Sequence, residues 1–170
     1  NYCVPLSNYA GSITVYSSAS GATIYSVPIP ARSLSPLGDI DGDGRSEYVA
    51  AVYPAAPTFM PSIVIVSGAS GAILQTLAAT GKDAVAVGDS NGDGFREIVA
   101  AATQVSGNVQ ILTIYDGFPY APVGNITLSG LNAGIVDSLT TLGDIDGDGV
   151  LDLGGVRTHP VEERGELSLL

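Results

Sequence analysis

An acidic run of ten residues occurs three times in the chain, and this repetition restricts the possible fold more than any other feature. The copies read GDIDGDGRSE at 38–47, GDSNGDGFRE at 88–97 and GDIDGDGVLD at 143–152. Their first aspartates are Asp39, Asp89 and Asp144, which lie 50 and then 55 residues apart. Self-similarity at a period of this length is typical of proteins built from equivalent, stacked structural units.

Each unit is predicted to contain four short strands. In the first complete unit we expect them at 33–38, 47–53, 62–67 and 72–78, in runs rich in Val, Ile and Tyr and bounded by turn residues. Several of these runs, such as YVAAV and IVIV, are apolar at consecutive residues. Because neighbouring residues of a strand point to opposite faces, we expect both faces of these strands to be buried.

Two smaller regularities support the repeat. The sequence SASGATIY at 18–25 returns as GASGAILQ at 68–75, so we expect the same hairpin at both places. Small residues recur at one point of the second strand in every unit, which predicts crowding there: Ala50, Ala51, Ala100, Ala101, Gly154 and Gly155.

These features predict an all-β fold made of β-propeller blades, in which four-stranded antiparallel sheets pack face to face around an axis. We expect about 3.5 blades: a half blade at 11–29, complete blades at 31–79 and 83–129, and an incomplete blade at 137–170. Propellers typically have about 4–8 blades, and the chain begins without Met. We therefore expect a piece of a longer protein or, alternatively, a ring completed by further copies of the chain.

The acidic runs have the composition of a cation site. Counted from its first Asp, each run reads D-x-[D/N]-x-D-G-x-x-[D/E], with oxygen-bearing side chains at loop positions 1, 3, 5 and 9. The Gly at position 6 permits a sharp turn that points the carbonyl of position 7 inward. Carboxylates this close repel one another unless a cation neutralises them. Oxygen ligands without His or Cys favour Ca²⁺, or more weakly Mg²⁺.

Other calcium-binding repeats fit the runs poorly. An EF-hand loop opens in the same way but needs an acid at position 12 and flanking helices. Position 12 is Ala50, Ala100 or Gly155 here, and the flanking segments are predicted strands. Tandem nonapeptides of calcium-binding β-helices do not match a spacing of 50 residues.

The stretches GDIDGDGRSEYVAA, GDSNGDGFREIVAA and GDIDGDGVLDLGGV resemble the FG-GAP repeats of integrin α-subunit propellers and their bacterial relatives. In that family the loop between the first and second strands of a blade binds Ca²⁺. The resemblance implies three Ca²⁺ sites, in which position 7 gives its carbonyl: Asp39, Asp41, Asp43, Arg45 and Glu47; Asp89, Asn91, Asp93, Phe95 and Glu97; Asp144, Asp146, Asp148, Val150 and Asp152. Asn91 gives the second loop one charge fewer, so we expect weaker binding there. We expect the metal to be structural.

Composition excludes some partners. The net charge is −11, with one Lys and five Arg, so there is no basic patch for nucleic acid. Hydrophobic residues make up 45% of the chain, which argues against disorder. No run approaches the roughly 18–20 apolar residues that span a bilayer, so we expect no membrane insertion.

Sequence motifs give no support for catalysis. Cys3 is expected to be an unpaired thiol and His159 a solvated loop residue. No G-x-S-x-G elbow or P-loop is present. The sequon Asn125-Ile126-Thr127 is expected in a turn, where it could carry an N-linked glycan in a secreted eukaryotic protein.

The resemblance implies a calcium-stabilised module of an extracellular, secreted or cell-surface protein. Such a module would act in adhesion, in binding of a protein or carbohydrate ligand, or in assembly. Two alternatives stay open: a non-catalytic part of a secreted propeller lyase or hydrolase, and a structural subunit of a surface filament or layer.

Overall fold

The computed structural model describes residues 11–53, 61–77, 81–106, 109–128, 135–147 and 151–158. Over these ranges the protein is all-β, as predicted, and contains no helix. Twelve strands are formed: β1 Ile13–Tyr16, β2 Thr23–Val27, β3 Ala31–Gly38, β4 Glu47–Val52, β5 Ser62–Val66, β6 Ile73–Leu77, β7 Gly81–Ala86, β8 Ile98–Ser106, β9 Val109–Asp116, β10 Ala121–Leu128, β11 Ile135–Gly143 and β12 Asp152–Thr158.

The strands form antiparallel sheets in which each strand pairs with its neighbour in the sequence. Two sheets have four strands, β3-β4-β5-β6 and β7-β8-β9-β10, and two pairs, β1-β2 and β11-β12, have two. The four strands predicted between 33 and 78 correspond to β3, β4, β5 and β6, with bounds that differ by at most two residues. The prediction of four-stranded antiparallel sheets is therefore confirmed.

The hairpin predicted to occur twice has the same hydrogen bonds in both copies. The Ser17 amide donates to Ala22 O at 2.8 Å, and the Ser67 amide donates to Ala72 O at 2.8 Å. Each serine carbonyl also accepts from a glycine four residues on, Gly21 or Gly71. Both glycines have a positive φ, near +70°. The repeated sequence therefore encodes a repeated backbone.

Apolar side chains on both faces of the central strands hold the sheets against one another. In β4, Val49 and Ala51 belong to a cluster shared with the β7–β10 sheet, whereas Ala50 and Val52 belong to a cluster shared with β1. Strand β8 shows the same alternation. Ile98 and Ala100 pack towards the β3–β6 sheet, whereas Val99 and Ala101 pack towards β11-β12. The consecutive apolar residues of these strands therefore bury both faces, as predicted.

The small residues of the second strands occupy two different environments. Ala50, Ala51, Ala100 and Ala101 are at most 1% exposed, which confirms the predicted crowding between sheets. Gly154 and Gly155 are not fully buried. A Cβ at Gly154 would approach Leu142 Cδ1 to 3.0 Å, so the crowding there comes from the partner strand of the same pair.

Polar side chains also join consecutive sheets through their first strands. The carboxylate of Asp83, on β7, is 3% exposed. It accepts a hydrogen bond from the Ser33 hydroxyl of β3. Its other oxygen accepts from the Leu139 amide of β11 at 2.7 Å. The strands β3, β7 and β11 therefore lie side by side at one end of the sheets.

The outer strands make a second set of contacts, each from one sheet to the next. The Tyr25 hydroxyl, on β2, donates to Ser67 O at 3.3 Å. Gln75 stands 50 residues later, on β6. Its amide donates to Tyr120 O at 2.7 Å, and its Oε1 accepts from the Tyr120 amide at 2.8 Å. The two four-stranded sheets are therefore joined both at their first strands, through Ser33 and Asp83, and at the far side, through Gln75 and Tyr120.

Some sequence predictions lie outside the described residues, and one is wrong. Four of the residues discussed above, Cys3, Asp148, Val150 and His159, and the end of the expected incomplete blade at 159–170 lie outside the described ranges. The sequon at 125–127 does not occupy a turn: it lies within β10, because backbone pairing with β9 continues across Gly124 and Asn125. The described part of the chain offers no helix with the length and apolarity to cross a membrane.

Candidate metal centre

The three acidic runs occupy equivalent places, between the first and second strands of consecutive sheets. They connect β3 to β4, β7 to β8, and β11 to β12. Glycines let these loops curl tightly. Gly42 and Gly44 have φ of 81° and 84°, and Gly92 and Gly94 have φ of 77° and 95°, a backbone region that residues with a Cβ rarely adopt.

The first loop turns its aspartates inward through hydrogen bonds to its own backbone. The Asp39 carboxylate accepts from the Gly42 amide at 2.8 Å and from the Gly44 amide at 2.9 Å. Asp41 accepts from the Asp43 amide, and Asp43 from the Arg45 amide. As a result one oxygen from each of the three aspartates lies within 4.8 Å of the others, and all three side chains are exposed.

Glu47, the acid at position 9 of the first loop, binds backbone amides instead of joining the three clustered aspartates. It is fully buried. Its Oε2 accepts from the Ile40 amide at 2.9 Å and its Oε1 accepts from the Gly68 amide at 3.3 Å. Gly68 approaches so closely that a Cβ there would lie 1.9 Å from Ser46 O. Glu47 therefore anchors the loop to the β5–β6 turn and is not one of the three clustered acids.

The second loop has the same pattern of hydrogen bonds from its own backbone amides to its side-chain oxygens. Asp89 accepts from the Gly92 and Gly94 amides at 2.7 and 2.9 Å. Asn91 Oδ1 accepts from the Asp93 amide, and Asp93 accepts from the Phe95 amide, both at 2.9 Å. The Phe95 side chain packs against the apolar core between the two four-stranded sheets, so position 7 also fixes the loop to the fold.

Glu97 binds the start of the second loop, as Glu47 binds Ile40 in the first. It is 5% exposed. Both of its oxygens accept from the Ser90 amide at 3.0 Å, and Oε1 also accepts from the Ser90 hydroxyl at 2.6 Å. In the third loop Asp152 Oδ2 accepts from the Ile145 amide at 2.6 Å. The acid at position 9 therefore binds the amide of position 2 in all three loops.

The third loop differs in which acids it brings together. Asp144 accepts from the Gly147 amide at 2.7 Å, as its counterparts do. Asp152 is only partly buried, and one of its oxygens lies within 4.8 Å of oxygens from Asp144 and Asp146. In this loop the position 9 acid, Asp152, therefore both binds the backbone amide of position 2 and belongs to the acidic cluster. Asp148 and Val150 are outside the described ranges.

Asp116 contacts the second loop although it lies outside the three acidic runs. It is the last residue of β9, and its Oδ2 accepts a hydrogen bond from the side-chain Nδ2 of Asn91 at 2.6 Å. Its Oδ1 accepts from the Gly117 amide at 2.8 Å. One feature of the sequence could have indicated this contact. Asp116 precedes Gly117 at the place where the preceding unit has Ser67 before Gly68.

The electrostatic field of the second loop reaches a neighbouring tyrosine. Tyr120 donates its hydroxyl to Arg96 O at 3.1 Å. Burial, and then the negative charges of Asp116, Asp93 and Glu97, raise the pKa of Tyr120 to about 12. Tyr120 is therefore a neutral hydrogen-bond donor at physiological pH.

The clusters have dimensions that suit one hard cation each. Oxygens bound to Ca²⁺ lie about 2.3–2.6 Å from it, so any two of them are at most roughly 5 Å apart. The oxygens of Asp39, Asp41 and Asp43, and those of Asp144, Asp146 and Asp152, meet this limit. The donors are carboxylates, which select Ca²⁺ or Mg²⁺ over softer metals.

Neither a protein-family model nor a curated protein sequence matches this chain. The resemblance to FG-GAP repeats therefore rests on the residues of the acidic runs alone. Function has to be argued from the geometry of the loops and sheets.

Proposed function

We propose that the chain is a calcium-stabilised β-propeller module of the FG-GAP type, with a Ca²⁺ site in the loop between the first two strands of each blade. The observation that carries this proposal is the cluster of Asp39, Asp41 and Asp43, whose oxygens lie within 4.8 Å of one another. A comparable cluster stands at the same junction of β11 and β12.

The packing of the sheets supports a propeller. In that architecture four-stranded sheets stack around an axis, and here consecutive sheets stack through apolar clusters on both faces. The first strands β3, β7 and β11 are joined through Asp83, as strands nearest an axis would be. The two-stranded end at β11-β12 borders a cavity of about 410 Å³ lined by Leu112, Leu128 and Leu153 among others. Because the cavity lies between β9-β10 and β11-β12, its apolar lining supports further strands in the β11-β12 sheet, as a four-stranded blade would have.

The proposed metal is structural. Buried Glu47 already holds the loop to the β5–β6 turn through two backbone amides, so a cation at the exposed aspartates finds a preformed frame. Binding would offset the repulsion between the carboxylates. A ligand that binds only the folded state adds about 2.7 kcal/mol of stability per site at a concentration 100-fold above its Kd.

The module would belong to an extracellular or cell-surface protein and act in adhesion, ligand recognition or assembly. Loops that bind Ca²⁺ weakly suit an extracellular medium, where calcium is abundant. A protein or carbohydrate ligand would bind at the rim of the ring. The rest of the ring would come from a longer chain or from further copies of this one.

Calorimetry and thermal unfolding of the full chain, with Ca²⁺ or with a chelator, test the proposal. We expect saturable binding and a higher Tm with Ca²⁺. The substitution Asp41→Asn should weaken binding at the first loop. Glu163→Gln, which removes the same charge outside the acidic runs, should leave it unchanged. Light scattering then separates a calcium-stabilised monomer from a calcium-dependent dimer. The absence of saturable binding, together with an unchanged Tm, would overturn the metal assignment.

A further inference from the structure

Strand β10 combines two features that the calcium sites do not explain. It is the outermost strand of its sheet and pairs only with β9 among the described residues. It also contains Asn125-Ile126-Thr127, and Asn125 is the one asparagine in the chain that begins an Asn-Xaa-Ser/Thr sequon. An edge strand and a modification sequence therefore coincide.

The edge of β10 is exposed and uncharged. Its sequence, APVGNITL, contains no charged residue, and Val123 is 63% exposed. With eight residues it is longer than the other outer strands β2 and β6, which have five each. Open edges of this kind pair with strands of other molecules unless charge, Pro, a bulge or a cover prevents it.

Within the described residues, only the first half of β10 has such protection. Pro122 lies there, and the pairing register shifts between Pro122 and Gly124. From Asn125 to Leu128 the strand pairs regularly with Thr113 to Gln110. The unprotected half of the edge is therefore the half that begins with the sequon.

The sequon side chains have the geometry that a glycan needs. Ile126 and Leu128 line the cavity beside β11-β12. Because side chains alternate along a strand, Asn125 and Thr127 point to the opposite face. Both are exposed, so an oligosaccharide on Asn125 can extend into solvent beside the edge without displacing the apolar lining of the cavity.

We propose that Asn125 is an N-glycosylation site and that its glycan covers the β10 edge against pairing with another molecule. The donor is a lipid diphosphate-linked oligosaccharide. The Asn125 Nδ2–C1 bond forms, the bond between C1 and the diphosphate oxygen breaks, and one amide proton is released. This proposal rests on the extracellular location given under the proposed function, but not on the metal.

The test begins with the full chain secreted from a eukaryotic host. Intact mass should show one N-linked oligosaccharide in the native sequence and in Thr127→Ser, which keeps the sequon. Asn125→Gln and Thr127→Ala should show none. A native chain without glycan, or a glycan that persists in Thr127→Ala, would overturn the modification site.

Sedimentation velocity tests the role of the glycan. Folded glycoprotein is trimmed with an endoglycosidase that leaves a single N-acetylglucosamine and no new charge. We expect the trimmed protein and Asn125→Gln to self-associate several-fold more than the untrimmed glycoprotein. Thr127→Lys in the Asn125→Gln background should reduce this self-association by charging the edge, because Thr127 is exposed and points away from the cavity. Equal self-association of the untrimmed and trimmed forms would overturn the covering role.

The two proposals fail separately. A glycosylated chain that binds no Ca²⁺ contradicts the proposed function and leaves the glycan inference intact. A chain that binds Ca²⁺ but carries no glycan contradicts the inference alone.

Discussion

The Asn91 side chain donates a hydrogen bond to Asp116 Oδ2 at 2.6 Å, which joins the second acidic loop to the β9–β10 turn 25 residues further along the chain. This contact changes the charge around the loop. With Asp116, four carboxylates surround the second loop, the others being Asp89, Asp93 and Glu97. The first loop also has four: Asp39, Asp41, Asp43 and Glu47.

If Asp116 contributes to the field at the second loop, its removal should weaken Ca²⁺ binding there. We expect Asp116→Asn to reduce the affinity of that loop roughly fivefold, about 1 kcal/mol, because a partly exposed negative charge near the cation is lost. Asp116→Ser, which copies Ser67 of the preceding unit, should act in the same direction. Calorimetry checks both variants, and an unchanged second-loop affinity in both would exclude the role.

The ranking of the sites is a second prediction. Asn91 offers a neutral oxygen at position 3, where the first loop has the Asp41 carboxylate, and Asp116 is hydrogen-bonded to the Asn91 side chain from outside the run. The second loop should therefore bind Ca²⁺ more weakly than the first even when Asp116 is present. Asp144→Ala silences the third loop, and adding Asp89→Ala or Asp39→Ala then leaves only the first or only the second loop to be measured by calorimetry. Equal affinities would contradict the ranking. Asn91→Asp should strengthen the second loop most in the Asp116→Asn background, where the Asp116 carboxylate no longer repels the new charge.

Gly68 should be among the most sensitive positions for stability. A Cβ there would lie 1.9 Å from Ser46 O, and the displaced backbone would lose the Gly68 amide bond to buried Glu47. We expect Gly68→Ala to lower the free energy of unfolding by about 2–4 kcal/mol. Gly124→Ala is the matched control, because its nearest contact would be Ile114 Cδ1 at 3.8 Å. Urea denaturation measures the free energy of unfolding of both variants. Similar losses in Gly68→Ala and Gly124→Ala would argue against the steric explanation.

Tyr120 predicts how stability changes at alkaline pH. Its pKa is raised to about 12 in the folded state, whereas an unfolded tyrosine titrates near 10. Above pH 10 the unfolded chain releases this proton first, so the folded state should lose stability as pH rises towards 12. Tyr120→Phe should make the loss of stability between pH 9 and 11 shallower, as measured by urea denaturation. The same slope in both proteins would show that Tyr120 does not contribute.

Much of the fold could be predicted because its signals are local. Consecutive apolar residues in YVAAV can only bury both faces of a strand, and β4 does so. The contact between Asn91 and Asp116 could not be predicted, because it depends on where a turn 25 residues away is placed. Glu47 was equally ambiguous, since an acid at position 9 can bind a cation or backbone amides. The location of Asn125 was missed because its neighbours Pro122 and Gly124 are also typical of turns.

The position of Asp83 has a consequence for the order in which the chain unfolds. Its carboxylate is held by hydrogen bonds from strands in the sheets on either side, so the middle of the stack cannot open without breaking contacts in both directions. The pairs β1-β2 and β11-β12 each have only two described strands and a neighbour on one side. When this chain is studied alone, without the strands that would complete the proposed ring, the sheets form a linear array whose ends should open first and most often. Amide hydrogen exchange should therefore be slowest in β4 and β8 and become faster towards both ends. Solvent would thus enter the stack from its ends, and the central strands β4 and β8 would be the last to unfold.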